Sequence, residues 1–217
     1  MNTGKLIKGW DREPGDSILH RIETKVERTP LKDRIAQAIF RLKTLQQRLE
    51  DATGRMQRHD RELFEKCVAA EVGRDNARAA MYANECAEVR KMARILLSSQ
   101  LAIEQVMLRL ETVEEFGDVM VEMAPVAGVI HTLKGRLAGV VPEVSYELNG
   151  IGEMLNGVMV DAGEATGASL ETTTANEESR RIVGEASSVA EQRMKDRFPD
   201  LPTGTRTPSA AEGTLGR

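Results

Sequence analysis

The chain has 217 residues, 29% of them charged and only 3% aromatic, with a formal net charge of −4. A compact globular core draws much of its buried area from large aromatic side chains, so this composition points to an elongated helical body of one domain or two small ones. The N-terminus has no signal-peptide pattern and no apolar run approaches 18 residues, which gives the expectation of a cytoplasmic protein with no membrane span and with Cys67 and Cys86 as reduced thiols.

Residues 1–29, MNTGKLIKGWDREPGDSILHRIETKVERT, form a polar leader. In it Leu6, Ile7 and Trp10 fall at helical spacing beside Lys5, Lys8 and Arg12, a short apolar strip with basic flanks. Such a strip suits a lipid interface, where tryptophan is favoured; packing on the helical body or a loose tail are the other readings. Thr29 and Pro30 read as the N-cap and first turn of a long helix to about Val72, roughly 60 Å at 1.5 Å per residue. Its apolar series is Leu31, Ile35, Ala38, Leu42, Leu45, Leu49, Ala52, Met56, His59 and Leu63, alternating steps of four and three with His59 as the polar exception. This is the 3.5-residue period of a coiled coil. Lys32, Arg34, Arg41, Lys43 and Arg48 make its first half strongly basic.

Gly73-Arg74-Asp75-Asn76 supplies a helix stop and restart. A second helix then runs to about Glu115 with the series Tyr82, Cys86, Val89, Ala93, Leu96, Gln100, Ile103, Met107 and Leu110. The two helices form an antiparallel hairpin over residues 30–116. Cys67 and Cys86 lie at similar distances from its turn, either facing each other or serving as small seam residues. Phe116-Gly117 reads as a hinge. Later helices follow over 117–163, with Pro125 interrupting the first and Pro142 starting the next, where Val144, Leu148, Ile151, Leu155 and Val158 repeat the four-three spacing. Small polar residues over 164–176 read as a linker, 177–197 as a weak helix and 198–217 as an extended tail.

Charge is distributed unevenly. Met1 to Lys66 holds 15 Lys/Arg against 11 Asp/Glu, while Glu111 to Glu191 holds 4 against 15. A basic first part and an acidic later part attract each other within or between chains, and the basic part also suits an anionic surface.

Nothing in the pattern carries chemistry. His20, His59 and His131 are far apart and lack partners at metal-ligand spacing, and no phosphate loop, nucleophile elbow or cysteine cluster occurs. Glu111, Glu114 and Glu115 lack the shielded pocket that acid catalysis needs. No enzyme activity, cofactor or metal is expected. The basic residues lack interleaved aromatics and no helix-turn-helix or finger pattern appears, so specific nucleic-acid binding is not expected either.

The stretches PLKDRIAQAIFRLKTLQQRLE (Pro30–Glu50) and AAMYANECAEVRKMARILLSSQLAIEQVMLRLETVEEFGDV (Ala79–Val119) resemble the archaeal ESCRT-III family, CdvB and its shorter paralogues. Tyr82-Ala83-Asn84-Glu85, Glu88-Val89-Arg90-Lys91 and Arg109-Leu110-Glu111-Thr112 carry the likeness most specifically, and it covers about residues 5–163. In layout, though not in these motifs, the chain is also similar to bacterial PspA-type membrane-remodelling proteins. The resemblance implies an all-α, ESCRT-III-like helical core over residues 30–163. It implies a homo- or hetero-polymer with paralogues that remodels membrane in cell division, peripheral on the inner face of the plasma membrane at the division site. Membrane contact would fall to Lys5, Lys8, Trp10, Lys32, Arg34, Arg41 and Lys43. The acidic later helices, 177–197 included, would restrain assembly until release at Phe116-Gly117. Phe198-Pro199-Asp200-Leu201-Pro202 resembles the Pro-rich motif by which the family recruits the MIT domain of a CdvC-type AAA ATPase, with Phe198, Pro199, Leu201 and Pro202 as contacts; a plain helix stop at Phe198 is the other reading. CdvB itself is expected to carry an added winged-helix segment after this tail to bind its recruiter CdvA; with Arg217 only 15 residues beyond Pro202, the resemblance is rather to a shorter CdvB paralogue, for which direct CdvA binding is not expected. The competing function is a soluble coiled-coil scaffold that binds proteins or nucleic acid without lipid.

Overall fold

The computed structural model describes residues 30–116, 119–166 and 172–200. Among them are five helices and no strand: α1 Leu31–Val72, α2 Asn76–Phe116, α3 Val119–Leu137, α4 Pro142–Thr166 and α5 Thr172–Arg197. None is long and apolar enough to cross a membrane. The expected all-α hairpin is present, with α1 and α2 packed along each other.

The seam follows the predicted series through Ile35, Ala38, Leu42, Leu45, Leu49 and Ala52, all buried. It then departs by one residue. His59 is exposed and Asp60 takes its place, 2% exposed. Met56 to Leu63 is one heptad, which divides into three and four or four and three. The second division wins because Asp60 has a partner across the seam: Arg90 donates from Nε to Oδ1 at 2.7 Å and from Nη2 to Oδ2 at 3.1 Å. The cysteines prove to be small seam residues, buried and unbonded to each other. Cys67 donates to the Ala79 carbonyl at 3.4 Å and Cys86 to that of Asp60 at 3.9 Å. Burial, and secondarily the Asp60 charge, pushes the Cys86 thiol up to about 11.

At the hairpin turn α1 ends at Val72 and α2 restarts at Asn76, as the Gly73-Arg74-Asp75-Asn76 run implied. Gly73 keeps a right-handed conformation (φ −73°), and Arg74 takes the positive φ of 56°. Arg74 N–H donates to Glu71 O at 3.0 Å and Asp75 N–H to Ala70 O at 2.9 Å, the paired bonds of a Schellman cap. Asp75 then caps α2, its Oδ1 accepting from Arg78 N–H at 3.1 Å. At the other end of α1, Pro30 occupies the N-cap itself and gives no side-chain cap; Thr29 lies outside the described residues.

The later helices enclose only the basal half of the hairpin. Their core takes in Ile35–Ala52 of α1 and Ala93–Val113 of α2 with the buried faces of α3, α4 and α5. α4 packs on α1, while α3 and α5 cover α2. Leu96, Leu97, Ala102, Ile103, Val106 and Leu110 are consequently buried around most of the α2 circumference. Beyond this base the hairpin continues as a two-helix arm with its own small cluster of Leu63, Cys86 and Val89.

Two expectations are revised here. Pro125 does not interrupt α3 but lies inside it, its neighbours Met123, Val126 and Val129 held fully buried in the core. Helix occupies most of the stretch expected as a linker, since α4 runs to Thr166 and α5 starts at Thr172. Of the hinge pair, Phe116 ends α2 and Gly117 lies outside the described residues.

Candidate assembly and membrane-contact surfaces

The acidic later helices meet the basic hairpin through a few polar locks on an otherwise apolar contact. On the α1 side, Arg34 projects toward α4, where its guanidinium donates to Asp161 Oδ2 at 2.5 Å and to the Met154 carbonyl at 3.3 Å. Gly157 makes the approach possible, because a methyl group there would overlap the guanidinium. About four turns nearer the start of α4, Glu147 pairs with Arg48. Arg34, Arg41 and Arg48 are spaced by seven, so they form one stripe of α1 facing α4.

On the α2 side, Arg109 pairs with Glu178 at 2.5 Å and Arg94 with Glu191 at 3.4 Å. Ser179 of α5 donates to the Pro125 carbonyl of α3 at 2.8 Å. A Cβ on Gly128 would stand 3.0 Å from the Ser179 Cβ, closer than packed carbons tolerate. Ile182, Ala186, Ala190, Met194 and Phe198 line the buried face of α5 at steps of four. Each helix is therefore keyed into place by a glycine that admits one specific side chain.

The residues expected at a membrane divide into groups. Lys5, Lys8 and Trp10 lie outside the described residues. Lys32 and Arg41 are exposed. Arg41 borders an open cleft of about 380 Å³ between α1 and α4 with Tyr146, Glu147, Asn149, Gly150 and Glu153. Arg34 is committed to α4, and Lys43 pairs with Glu111 of the hairpin at 3.2 Å. Sequence reading placed all four on one basic surface; the fold draws Arg34 into a partly buried lock, while Lys43 stays at the surface beside Glu111.

The tail residues also separate. α5 ends at Arg197, but Phe198 completes its apolar stripe and is only 6% exposed. Its N–H donates to Met194 O at 2.9 Å, and the Arg90 guanidinium lies 5.7 Å from its ring centroid. The tail was expected to be extended from Phe198 onward; instead the last helical turn carries Phe198 into the core. Pro199 is exposed, and Leu201 and Pro202 lie outside the described residues. The four-residue spacing back to Ile182 was the signal available for this. The Asp60–Arg90 pair, and the Gly157–Arg34 and Gly128–Ser179 fits, were not anticipated. Among the described residues no group of His, Cys, Asp or Glu is arranged to hold a metal ion.

No family model matches the chain, and no solved structure matches it. Two curated relatives come from Sulfolobus acidocaldarius. Cell division protein B1 is 48% identical over 182 residues, 84% of this chain and 85% of the relative. Cell division protein B is 33% identical over 186 residues, 86% of this chain and 71% of the relative.

Proposed function

Since the chain belongs to the cell division protein B family, of ESCRT-III type, and so has a role in cell division, we propose that it acts there as a polymer-forming scaffold that binds and deforms membrane and is taken apart by an AAA ATPase. The role is structural rather than catalytic. The observation that carries this reading is the way α2 is covered. Its basal half is apolar around most of its surface, yet part of that cover is α5, a separate helix held by one narrow apolar stripe and a short list of polar locks. Undocking α5 and α4 leaves long apolar stripes that only another subunit can cover, and burying them supplies the drive for assembly. Copies of the chain and its paralogues are the partners, and the inner face of the plasma membrane is the place.

Lipid contact falls first to Lys5, Lys8, Lys32 and Arg41; Arg34 joins them once α4 leaves. Each cation contributes about 1 kcal/mol near an anionic surface. The tail run from Phe198 to Pro202 is the ATPase contact, its prolines holding the strand extended before binding.

The test is electron microscopy of purified protein with and without anionic vesicles, beside co-sedimentation with vesicles and with DNA. Filaments on vesicles, with salt-sensitive binding lost when Lys5, Lys8, Lys32 and Arg41 are replaced by glutamate, is the expected result. Binding to DNA but not to vesicles, with no polymer in either case, overturns the proposal in favour of a scaffold that never touches lipid.

A further inference from the structure

Gly157 and Gly128 each admit a side chain from another helix, but Gly54 in α1 admits none. A Cβ there would meet nothing nearer than the tip of Arg58 at 3.7 Å, an ordinary contact. Glycine nonetheless weakens a helix interior. Beside it the buried Thr53 turns its hydroxyl back to Leu49 O at 2.8 Å, a bond that favours bending. α2 carries a similar break. Ser98 and Ser99 are buried amid Leu96, Leu97 and Leu101. Ser98 donates back to Ile95 O at 3.1 Å. Ser99 Oγ is the one buried side-chain oxygen among the described residues with no hydrogen-bond partner.

The two weak points stand level. Lys43–Glu111 and Asp60–Arg90 fix the register of the antiparallel pair, and between them Thr53-Gly54 falls across from Ser98-Ser99. On α1 this is also where the base ends. Arg34–Asp161 and Arg48–Glu147 run α4 antiparallel to α1, which brings its start at Pro142 beside Thr53-Gly54. The main core leaves α1 at Ala52, the arm's cluster begins at Leu63, and the partly buried Met56 packs against both. On α2, α5 crosses the level between Glu178 on Arg109 and Glu191 on Arg94.

We propose that Thr53-Gly54 and Ser98-Ser99 form a joint at which the arm swings on the base, and that α5, lying along α2 across it, is the splint. In the straight hairpin Gly54 has no packing role and Ser99 no partner. Kinks beyond about 20° arise at glycine and serine and where a side chain enters the backbone ladder. A bend releases carbonyls of the preceding turn, and the Ser99 hydroxyl stands ready to serve one. In a polymer, a use that rests on the reading above, jointed subunits follow membranes of different curvature while the contacts at their bases stay unchanged.

The experiment places spin labels at Asn156→Cys in α4 and Lys66→Cys in the arm, both exposed, with Cys67→Ala and Cys86→Ala so that no other thiol is labelled. Lys66 stands about 18 Å beyond Gly54 along the helix, so a kink of about 20° carries it about 6 Å. Pulsed electron paramagnetic resonance gives the distance distribution for the full chain, for Gly54→Ala with Ser99→Ala, and for each of these with Ala186→Glu. Ala186 is buried in the α5 contact, so a carboxylate there expels α5. Gly128→Leu, whose side chain meets Ser179 of α5, replaces it should the helical circular-dichroism signal be lost. The expected result is a distribution several ångströms broader with α5 expelled, returned to the width of the unaltered chain by Gly54→Ala with Ser99→Ala. A distribution that stays narrow with α5 expelled, or that the joint substitutions fail to narrow, overturns the joint. One already as broad with α5 docked, and narrowed by those substitutions, overturns the splint alone. Filaments on anionic vesicles are scored alongside, and their absence overturns the use in a polymer while the joint stands.

Discussion

Asp60→Ala is the most informative single change in the arm. It leaves the Arg90 guanidinium inside the seam without its bidentate partner. Breaking one side of a buried ion pair costs about 3–5 kcal/mol. Arg90 keeps 16% of its side chain exposed, so it recovers some hydration and the lower end, about 3 kcal/mol, is the expected loss. For a chain of this size that lowers the melting temperature by about 6–12 °C. Replacing both members with apolar residues, Asp60→Leu with Arg90→Met, removes the stranded charge and restores stability to within about 1 kcal/mol. The pair's larger effect is on register. A slip of one heptad sets Asp60 against Ala83 or Leu97, with no cation to meet it, whereas the apolar layers tolerate such a slip. Urea unfolding followed by circular dichroism measures the three proteins. A loss below about 1 kcal/mol in Asp60→Ala refutes the reasoning, since the pair would then behave as an exposed surface pair does.

Other outcomes follow from individual contacts. Arg74→Gly relieves the left-handed backbone at the hairpin turn and stabilises the chain by about 1 kcal/mol in urea unfolding; no gain means the Schellman cap bears no strain there. Gly157→Ala drives the Arg34 guanidinium off α4 and lowers the concentration at which light scattering detects filaments; an unchanged threshold argues that the Arg34–Asp161 lock does not restrain assembly. Cys86 is held neutral to about 11 in the fold, whereas an unfolded thiol ionises near 8.5–9. Its contribution to stability is therefore complete below about pH 9 and is lost as pH rises toward 11. Unfolding free energy measured across that window should decline less in Cys86→Ala than in the unaltered chain, and identical slopes would contradict the assignment.

The hairpin was legible because its apolar positions repeat over more than four heptads, and no other arrangement buries two such stripes so simply. The divided heptad at His59 and Asp60 was not, because spacing alone allows either residue inside and only the position of Arg90 on the other helix decides. The wrapping of α2 was in view in the run from Ile95 to Ile103, which is apolar on nearly every side, a pattern that two helices alone cannot bury. Phe198 was misplaced because Pro199 marks a stop so strongly that the residue before it reads as the start of the tail. The glycine fits were beyond sequence reading altogether. Gly157 and Gly128 look like weak points in their helices, and only the arrival of Arg34 and Ser179 from distant segments turns them into seats.

The order of contacts along α5 has a mechanical consequence. From the C-terminal end they come as Phe198 on Arg90, Glu191 on Arg94, the Ala190 and Ala186 layers, then Glu178 on Arg109 with Ser179 on Pro125. They are strung from Glu178 to Phe198, about 30 Å at 1.5 Å per residue. A pull applied to the tail loads the first of these before the rest, so the helix peels as adhesive tape does. The force needed is that of the strongest single contact, not their sum. A load along the α5 axis would instead bear on all of them together and meet far greater resistance. The direction from which the tail is drawn thus decides whether α5 is a zip or a rivet.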